Sequence, residues 1–233
     1  MINRQSLHED LVRVVLVDRD LGAVLGELTS IARRAMPGAE AVSITLIRGD
    51  EPFTAAHDGQ MALDADELQY QRGFGPCMDA ARSGLLLLID DMGTDERWPD
   101  YAHHAATQGI GSSLSVPLPF QAATIGGLNT YAGRPRAFGG DDAAVASEVA
   151  SWVAIAVANA SAFASAADEA AQMQAAMASR ATIEQAKGML IERHKLLAEQ
   201  AFAVLSRSSQ HTGSKLRDVA DHLVRTGVLP GSR

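Results

Sequence analysis

The chain has 233 residues and a formal net charge of −8 at pH 7; 47% of its residues are hydrophobic and 21% are charged, which is typical of a globular protein with one large domain or two small ones. It contains no run of 18 consecutive apolar residues and no signal-peptide pattern, so we expect no membrane span and a cytoplasmic location. Cys77 is its only cysteine, which excludes an internal disulfide and argues against a cysteine-based zinc site.

The first predicted element is a helix over residues 7–36. Its apolar residues recur at helical spacing, and they are Leu11, Val14, Val15, Leu21, Val24, Leu25, Leu28 and Ile31. Pro37-Gly38 then ends the helix.

The next stretch is rich in strands. Residues 41–49 alternate apolar and polar side chains, and Gly49-Asp50 predicts a tight turn into a second strand over 52–57. Gly126-Gly127 lies inside a later strand pattern and indicates a bulge or a close backbone approach. The other predicted elements are a strand at 85–90, a hairpin of strands at 110–120 and 123–133, and helices near 64–71, 76–83 and 98–108. Together these elements predict an α+β domain with an antiparallel sheet flanked by helices.

A long helix is predicted from Asp141 onward, because residues 141–195 contain no proline and only one glycine, Gly188. Ten residues fall at alternating spacings of four and three: Val145, Val149, Trp152, Ala156, Asn159, Phe163, Ala166, Ala170, Met173 and Met177. This heptad pattern predicts a coiled-coil seam between two copies of the chain in a parallel homodimer, with Asn159 fixing the register. The alternative is a helix that packs on the sheet of its own domain and then simply connects.

Two shorter helices follow, at about 198–211 and 215–226. The first presents Ala201, Phe202 and Leu205 and ends at Gly213; the second has Ser214 as its expected N-cap and ends at Gly227. With Ile183, Ala186 and Leu190 of the long helix, their apolar faces predict a small three-helix core.

The C-terminal segment, residues 173–233, differs in charge from the rest. It contains nine Lys and Arg and five Asp and Glu, and it holds all three lysines of the chain: Lys187, Lys195 and Lys215. A basic segment on an acidic protein indicates an anionic partner for that segment. The alternative is an ordinary solvated helix surface.

Three parts of this segment carry a resemblance to a known family: SRATIEQAKGMLIERH at 179–194, AFAVLSRSSQ at 201–210 and SKLRDVADHLV at 214–224. They resemble the ANTAR domain, the RNA-binding module of bacterial transcription antitermination regulators. The resemblance implies that a dimer binds paired RNA hairpins in leader transcripts and so prevents terminator formation. Two positions depart from the family pattern, since Leu197 replaces a capping Ser or Thr, at a cost of about 1 kcal/mol, and Gly213 replaces an Asn.

The upstream part resembles a GAF domain of the actinobacterial type that precedes an ANTAR domain. The matching segments are 68–84, 90–102 and 112–118. The resemblance implies three parts: a GAF sensory domain over 1–160, a continuous helical (coiled-coil) connector over 161–172, and a three-helix ANTAR RNA-binding domain over 173–233.

Candidate RNA contacts follow from matching the family motif. The resemblance implies that Arg180 and Lys187 make the primary phosphate or loop contacts, with Gln185 and Gly188 beside them. Four further residues would line the same surface: Ser208, Thr212, Lys215 and Arg217. RNA hairpin recognition needs cations for phosphates and donors for splayed bases. For each single cation, the alternative is a solvated surface residue.

Gly188 is unusual because glycine inside a helix costs about 1 kcal/mol relative to alanine. Two explanations are open. The glycine either leaves the backbone open to close approach by RNA, or lets the helices of the three-helix unit pack closely.

In the upstream domain, Cys77 follows Gly75-Pro76 at an expected helix start, which lowers a thiol pKa and makes a redox or ligating role conceivable. The alternative is a half-buried, inert thiol. No catalytic residues and no metal-ligand spacing are recognisable, and a cofactor or GAF ligand stays unknown.

The sequence therefore predicts a homodimeric, signal-controlled regulator that binds tandem RNA hairpins and is not an enzyme. One alternative is a fragment of a signalling enzyme such as a histidine kinase, but only 38 residues follow residue 195, too few for an ATP-binding domain. Another is a protein-interaction dimer whose tail binds no RNA.

Overall fold

A computed structural model of the chain describes residues 4–14, 19–120 and 123–231. The chain divides into two compact units, Met1–Ala162 and Phe163–Arg233. The elements of the first unit are α1 (Arg4–Val12), α2 (Leu21–Ala35), β1 (Ala41–Arg48), β2 (Glu51–Asp58), α3 (Gln60–Arg72), α4 (Pro76–Ser83), β3 (Leu87–Ile89), α5 (Pro99–Thr107), β4 (Ser112–Phe120) and β5 (Ala123–Ala132). The last three helices are α6 (Gly140–His194), which begins in the first unit and ends in the second, α7 (Ala198–Thr212) and α8 (Leu216–Thr226).

The single helix predicted over 7–36 is wrong, because the structure divides this stretch into α1 and α2. Asp20 explains the new start: its side chain accepts a hydrogen bond from the backbone N–H of Ala23 at 3.1 Å. An aspartate in this N-cap position favours the start of a helix, because its side chain accepts a hydrogen bond from an N–H group of the first turn. Val15, which belonged to the predicted apolar face, lies outside the described residues.

The predicted antiparallel sheet is confirmed. Its five strands stand in the order β2-β1-β5-β4-β3, and every neighbouring pair is antiparallel. The predicted tight turn joins β1 to β2, with Arg48 paired to Glu51 and Gly49 in the left-handed conformation at φ 63°.

The two faces of the sheet have opposite chemistry. One face is apolar and packs against α1, α2 and the beginning of α6; it presents Val42, Ile44, Leu46, Leu114, Val116, Leu118 and Leu128. The other face is covered by α3, α4 and α5, and its buried side chains are largely polar: Ser43, Thr45, Ser113, Ser115, Asn129 and Tyr131. Side chains alternate between the faces of a strand, so this split follows directly from the strand sequences.

The surroundings of α6 change along its 55 residues. Val145, Val149 and Ala156 are buried in the core of the first unit, so the beginning of the predicted coiled-coil seam packs on its own sheet. Residues 161–178, by contrast, are almost all exposed. Phe163, the first large apolar residue of this stretch, is 77% exposed.

By length and composition alone, α6 is also apolar enough to cross a membrane. A core helix of a soluble protein meets the same criterion, and the beginning of α6 packs as such a helix. This property of α6 is therefore weak support for a membrane span.

The three-helix core of the second unit is confirmed. Its buried residues come from the end of α6, from α7 and from α8: Ala186, Leu190, Ala201, Leu205, Val219, Ala220 and Leu223.

Two details predicted for the second unit are wrong. Phe202 is 45% exposed, because the inward face of α7 is formed by Ala201, Leu205 and Ser208. Ser214 does not cap α8, since Lys215 occupies the N-cap position without a side-chain hydrogen bond.

At Gly126 the close backbone approach expected from the sequence is present. A Cβ atom added there would lie 2.0 Å from the carbonyl oxygen of Thr45 on the neighbouring strand. At Gly127 an added Cβ would meet nothing closer than 3.5 Å.

Replacing Gly126 by alanine should therefore lower the free energy of unfolding by at least about 2 kcal/mol, because β1 must move away from β5. Gly127→Ala is the matched control and should stay much closer to wild type. Urea denaturation of both variants tests this, and equal stabilities would contradict it.

Candidate functional site

A stripe on the last part of α6 carries the residues expected to contact RNA. Arg180, Glu184 and Lys187 are spaced by four and three residues and therefore share one face of the helix. The ammonium of Lys187 contacts both carboxylate oxygens of Glu184 at 2.9 Å, and the Lys187 side chain is 16% exposed. Lys187 thus has its stem against the protein and its charge paired with an acid at the surface.

Gln185 and Gly188 lie beside this stripe and are exposed. A Cβ atom added at Gly188 would meet nothing within 4 Å. Close helix packing therefore does not explain this glycine, and of the two explanations open from the sequence, an approachable backbone surface is left.

The start of α8 contributes Lys215 and Arg217, both exposed. Arg217 lines a groove of about 500 Å³ between α8 and the part of α6 that precedes Lys187. From α6 the groove is lined by Ala175, Ala178, Ser179 and Thr182 and not by Arg180 or Lys187, so Arg217 lies beside a different face of α6 from the stripe of Arg180 and Lys187.

The groove holds a cation that the sequence reasoning missed. Arg225 lines it two helical turns beyond Arg217 and pairs with Asp221 at 2.9 Å. Its spacing of eight residues from Arg217 would have placed it on the same face of α8.

Ser208 and Thr212 are engaged within the protein. Ser208 is buried, and its hydroxyl donates to the carbonyl oxygen of Pro230 at 2.6 Å. The Thr212 hydroxyl donates to the carbonyl oxygen of Ser208 at 2.7 Å. Ser208 lines a different groove, with His211 and Pro230, and both residues help hold the C-terminal segment against α7.

The cations of this unit differ in their partners, and Arg193 donates to the carbonyl oxygen of Gly227 at 2.6 Å. Four pair with acids on their own helix or beside it: Lys187 with Glu184, Lys195 with Glu192, Arg217 with Asp218 and Arg225 with Asp221. Arg180, Arg207 and Lys215 form no ion pair with any residue that the structure describes. Exposed pairs of this kind are worth at most about 1 kcal/mol, so phosphate can displace the acids.

Cys77 of the first unit is fully buried, deeper than expected. Its thiol lies 3.3 Å from the hydroxyl of Thr45, and its backbone N–H donates to the side-chain oxygen of Gln69 at 2.8 Å. Burial, and then the nearby Asp66, raise the pKa of the Cys77 thiol to about 12. A buried, protonated thiol is a poor redox centre, so the structure favours the inert alternative.

Cys77 borders a buried polar cluster centred on Asp66 of α3, which the sequence reasoning did not identify. Asp66 accepts hydrogen bonds from the hydroxyls of Tyr131 (2.7 Å) and Thr54 (2.9 Å) and from the side-chain amide of Asn129 (3.3 Å). Burial raises the pKa of the Asp66 carboxyl to about 6, although the neighbouring hydroxyls oppose this. The alternation of polar residues in β1, β4 and β5 was the available signal. Over the described part of the chain, no group of three or more His, Cys, Asp or Glu is arranged to hold a metal ion.

Comparison with protein families gives two matches. The GAF domain family matches residues 18–158, and the ANTAR domain family matches residues 171–224. No curated protein matches the chain.

Several solved structures resemble the first unit. The GAF domain from an Acinetobacter phosphoenolpyruvate-protein phosphotransferase is 16% identical, with a TM-score of 0.56 over 70% of this chain and 97% of that one. The reduced form of fRMsr of Staphylococcus aureus is 16% identical, with a TM-score of 0.54 over 67% and 96%. Free methionine-R-sulfoxide reductase from Neisseria meningitidis, in complex with its substrate, is 22% identical, with a TM-score of 0.50 over 64% and 87%. At these identities the likeness establishes the fold alone.

Gly188→Ala should raise the free energy of unfolding of the second unit by about 1 kcal/mol, because the helix gains propensity and the new methyl group meets empty space. Gly213→Ala is the contrasting control: this site is equally open, but its φ of 65° is unfavourable for alanine, so that variant should be less stable. Denaturation followed by circular dichroism measures both, and a destabilised Gly188→Ala would refute an open surface at this site.

Proposed function

The chain belongs to the GAF domain family and carries an ANTAR domain at its C-terminal end, and on this premise we propose that it is a signal-regulated transcription antitermination regulator that binds RNA. The order of the two domains resembles the actinobacterial type of such regulators. The observation that carries the proposal is the accessible basic surface of the second unit, where Arg180 and Lys187 share one face of α6 and the helix backbone is open at Gly188 nearby.

Phosphate binding at this surface follows from its charges. Arg180 and Lys187 are seven residues apart, which places them about 10 Å apart along the helix axis. Arg180 is free to bind a phosphate directly. Lys187 must exchange Glu184 for a phosphate, and because the Glu184 carboxylate is then left unpaired near the RNA, this contact gains less affinity than one made by a free cation.

The groove beside α8 offers a second basic site, next to a different face of α6. Arg217 and Arg225 provide two guanidinium groups there, and Ser179 and Thr182 provide hydroxyls. Guanidinium groups bind phosphates bidentately and stack on unpaired bases, so they suit a hairpin loop. Asp218 and Asp221 hold both arginines in the free protein. Lys215, at the N-terminal end of α8, adds a cation without a partner acid among the described residues.

A homodimer through the middle of α6 explains the exposed apolar stripe on that helix. Phe163, Met173 and Met177 are 77%, 62% and 68% exposed and lie in the heptad pattern with Ala166 and Ala170. A helix with no contacts of its own is only marginally stable in water, and a second copy packed along this stripe in parallel would stabilise it. A parallel dimer also supplies two ANTAR domains, as two tandem hairpins require.

The GAF unit is the sensory part in this proposal, and the identity of its ligand or partner is open. A signal that changes the register or separation of the paired α6 helices would reposition the two ANTAR domains against the two hairpins. The matched domains are of regulatory type, and we propose a cytoplasmic protein without enzymatic activity. The reductase activity in the names of two structural neighbours is not transferred, since a buried thiol such as Cys77 is unsuited to thiol redox chemistry.

Two alternatives predict different observations. A kinase fragment must bind nucleotide in the isolated protein. A protein-interaction dimer with an inactive tail shifts with no hairpin RNA, even at low salt.

Lys187→Ala should weaken binding to a two-hairpin leader RNA severalfold and reduce the slope of log K against log salt by about one, because one phosphate contact is lost. Lys195→Ala is a matched control, since Lys195 forms the same i,i+3 pair with a glutamate at 2.8 Å but lies outside the proposed surface. Filter-binding titrations at several salt concentrations measure both. If the two variants have equal affinities and slopes, Lys187 does not contact phosphate.

Replacing both Met173 and Met177 by glutamate should convert the dimer to a monomer, because four carboxylates would face each other in the apolar seam. Ala164→Glu combined with Ala171→Glu adds the same charge to exposed positions away from the seam, and should leave the dimer intact. Sedimentation equilibrium distinguishes the two outcomes. A dimer that survives the methionine changes would place the interface elsewhere.

A further inference from the structure

The carboxylate of Asp66 is buried within a shell of hydrogen-bond donors. Its Oδ1 atom accepts from the Tyr131 hydroxyl (2.7 Å) and from Nδ2 of Asn129 (3.3 Å). Its Oδ2 atom accepts from the hydroxyl of Thr54 (2.9 Å), with the Thr45 hydroxyl at 3.5 Å. The carboxylate is thus solvated by neutral groups, and none of the described residues supplies the cation that normally accompanies a buried charge.

Asp66 is the group in this cluster that titrates in the neutral range. The titratable side chains around it are Tyr70 of α3, Cys77 of α4, Tyr101 of α5 and Tyr131 of β5. Burial raises the pKa of each of them, so all four stay neutral below pH 10. The strands β1 and β2 contribute only hydroxyls, and no charged neighbour among the described residues contributes to the pKa of Asp66. A proton taken up by the cluster near pH 6 therefore binds to Asp66.

Asn129, next to this carboxylate, has a buried oxygen without a hydrogen-bond donor among the described residues. Its Nδ2 atom faces Ser43 (3.3 Å), Thr45 (3.1 Å) and Asp66, while its Oδ1 atom is buried without a hydrogen-bond partner. A buried acceptor left unpaired costs about 1–3 kcal/mol. If the amide turns over, Oδ1 can accept the hydrogen of a protonated Asp66. Nδ2 then faces the side of Ser115, whose hydroxyl is likewise buried and unpaired.

The hydroxyls of the cluster can reverse in the same way. In the pairs between Tyr70 and Thr45 (2.7 Å) and between Tyr70 and Thr54 (3.1 Å), either oxygen can be the donor. Tyr70 and Thr54 are also partly exposed, so this chain of hydroxyls connects Asp66 with solvent. A proton can thus reach the carboxylate without opening the core.

We propose that Asp66 is a proton-binding site of the sensory unit. Its protonation flips the side-chain amide of Asn129 and thereby changes the side-chain hydrogen bonds between β5 and β1. The proposal rests on the sensory role proposed for the GAF unit and identifies one signal, a proton, to which that unit responds.

The direct test is a titration of the full-length protein by NMR between pH 4.5 and 8. The carboxyl carbon of Asp66 should titrate about two pH units above an ordinary aspartate, with a midpoint near 6. The side-chain amide signals of Asn129 should move with the same midpoint. Asp64→Asn, which alters an exposed carboxylate two residues away, should leave both curves unchanged. A midpoint near 4 for Asp66, or Asn129 signals that do not change with pH, would overturn the proposal.

Stability supplies a second readout. Because the pKa of Asp66 is raised in the folded protein, its contribution to stability is complete below the unfolded pKa and is lost as pH rises through about 6. Relative to Asp66→Asn, the wild-type folding equilibrium constant should fall about 100-fold between pH 4 and pH 7. If the folding equilibrium constants of both proteins depend on pH in the same way, Asp66 is not the proton-binding site. If Asp66→Asn fails to fold, the NMR titration of the wild-type protein decides alone. Both readouts omit RNA, so a protein that binds no hairpin would disprove the proposed function but not proton binding at Asp66.

Discussion

Strands β1, β4 and β5 are covered on both faces, and this double burial constrains the rest of the first unit. Alternation sends Val42 and Ile44 to one side of β1 and Ser43 and Thr45 to the other. The apolar side needs only van der Waals packing, and α2 and the start of α6 pack against it. The polar side needs hydrogen-bond partners, because buried hydroxyls and amides without partners are costly. Asp66 on α3 meets much of that need, at the cost of burying a carboxylate.

The need to cover the apolar face of the sheet also determines what successive parts of α6 contact. Its first turns are committed to the apolar face of the sheet through Val145 and Val149, and its last turns to the three-helix core through Ala186 and Leu190. Residues 161–178, between these two parts, are exposed to solvent in the described structure and include Phe163, Met173 and Met177. Only this middle stretch is therefore left for a second copy, so the proposed dimer seam is shorter than the heptad pattern that runs from Val145.

The second unit holds several of its cations in pairs with acids in the free state. Glu184, Asp218 and Asp221 each hold a basic side chain in place. Such pairs are weak at an exposed surface and give way to phosphate, whose charge is higher and whose oxygens accept several hydrogen bonds. In the proposed function, this arrangement orients the cations before RNA binds. It also explains why net charge alone was a modest indicator of the proposed binding surface.

The sequence by itself determined the antiparallel sheet, the long helix, the three-helix core and the two domain families, because alternation, heptad spacing and motif order are local properties of the chain. Only the tertiary structure decided which side chains meet. In the folded chain a second helix begins after Asp20, and Phe202 points outward. The Ser208 hydroxyl bonds to Pro230, and Cys77 lies among Thr45, Gln69 and Asp66. The partners in these last contacts lie between 8 and 32 residues apart in the chain, and no spacing rule predicts them. Asp66 is the clearest case: in the sequence it is one of three acids on a polar helix, and its raised pKa follows from the burial that the folded sheet imposes.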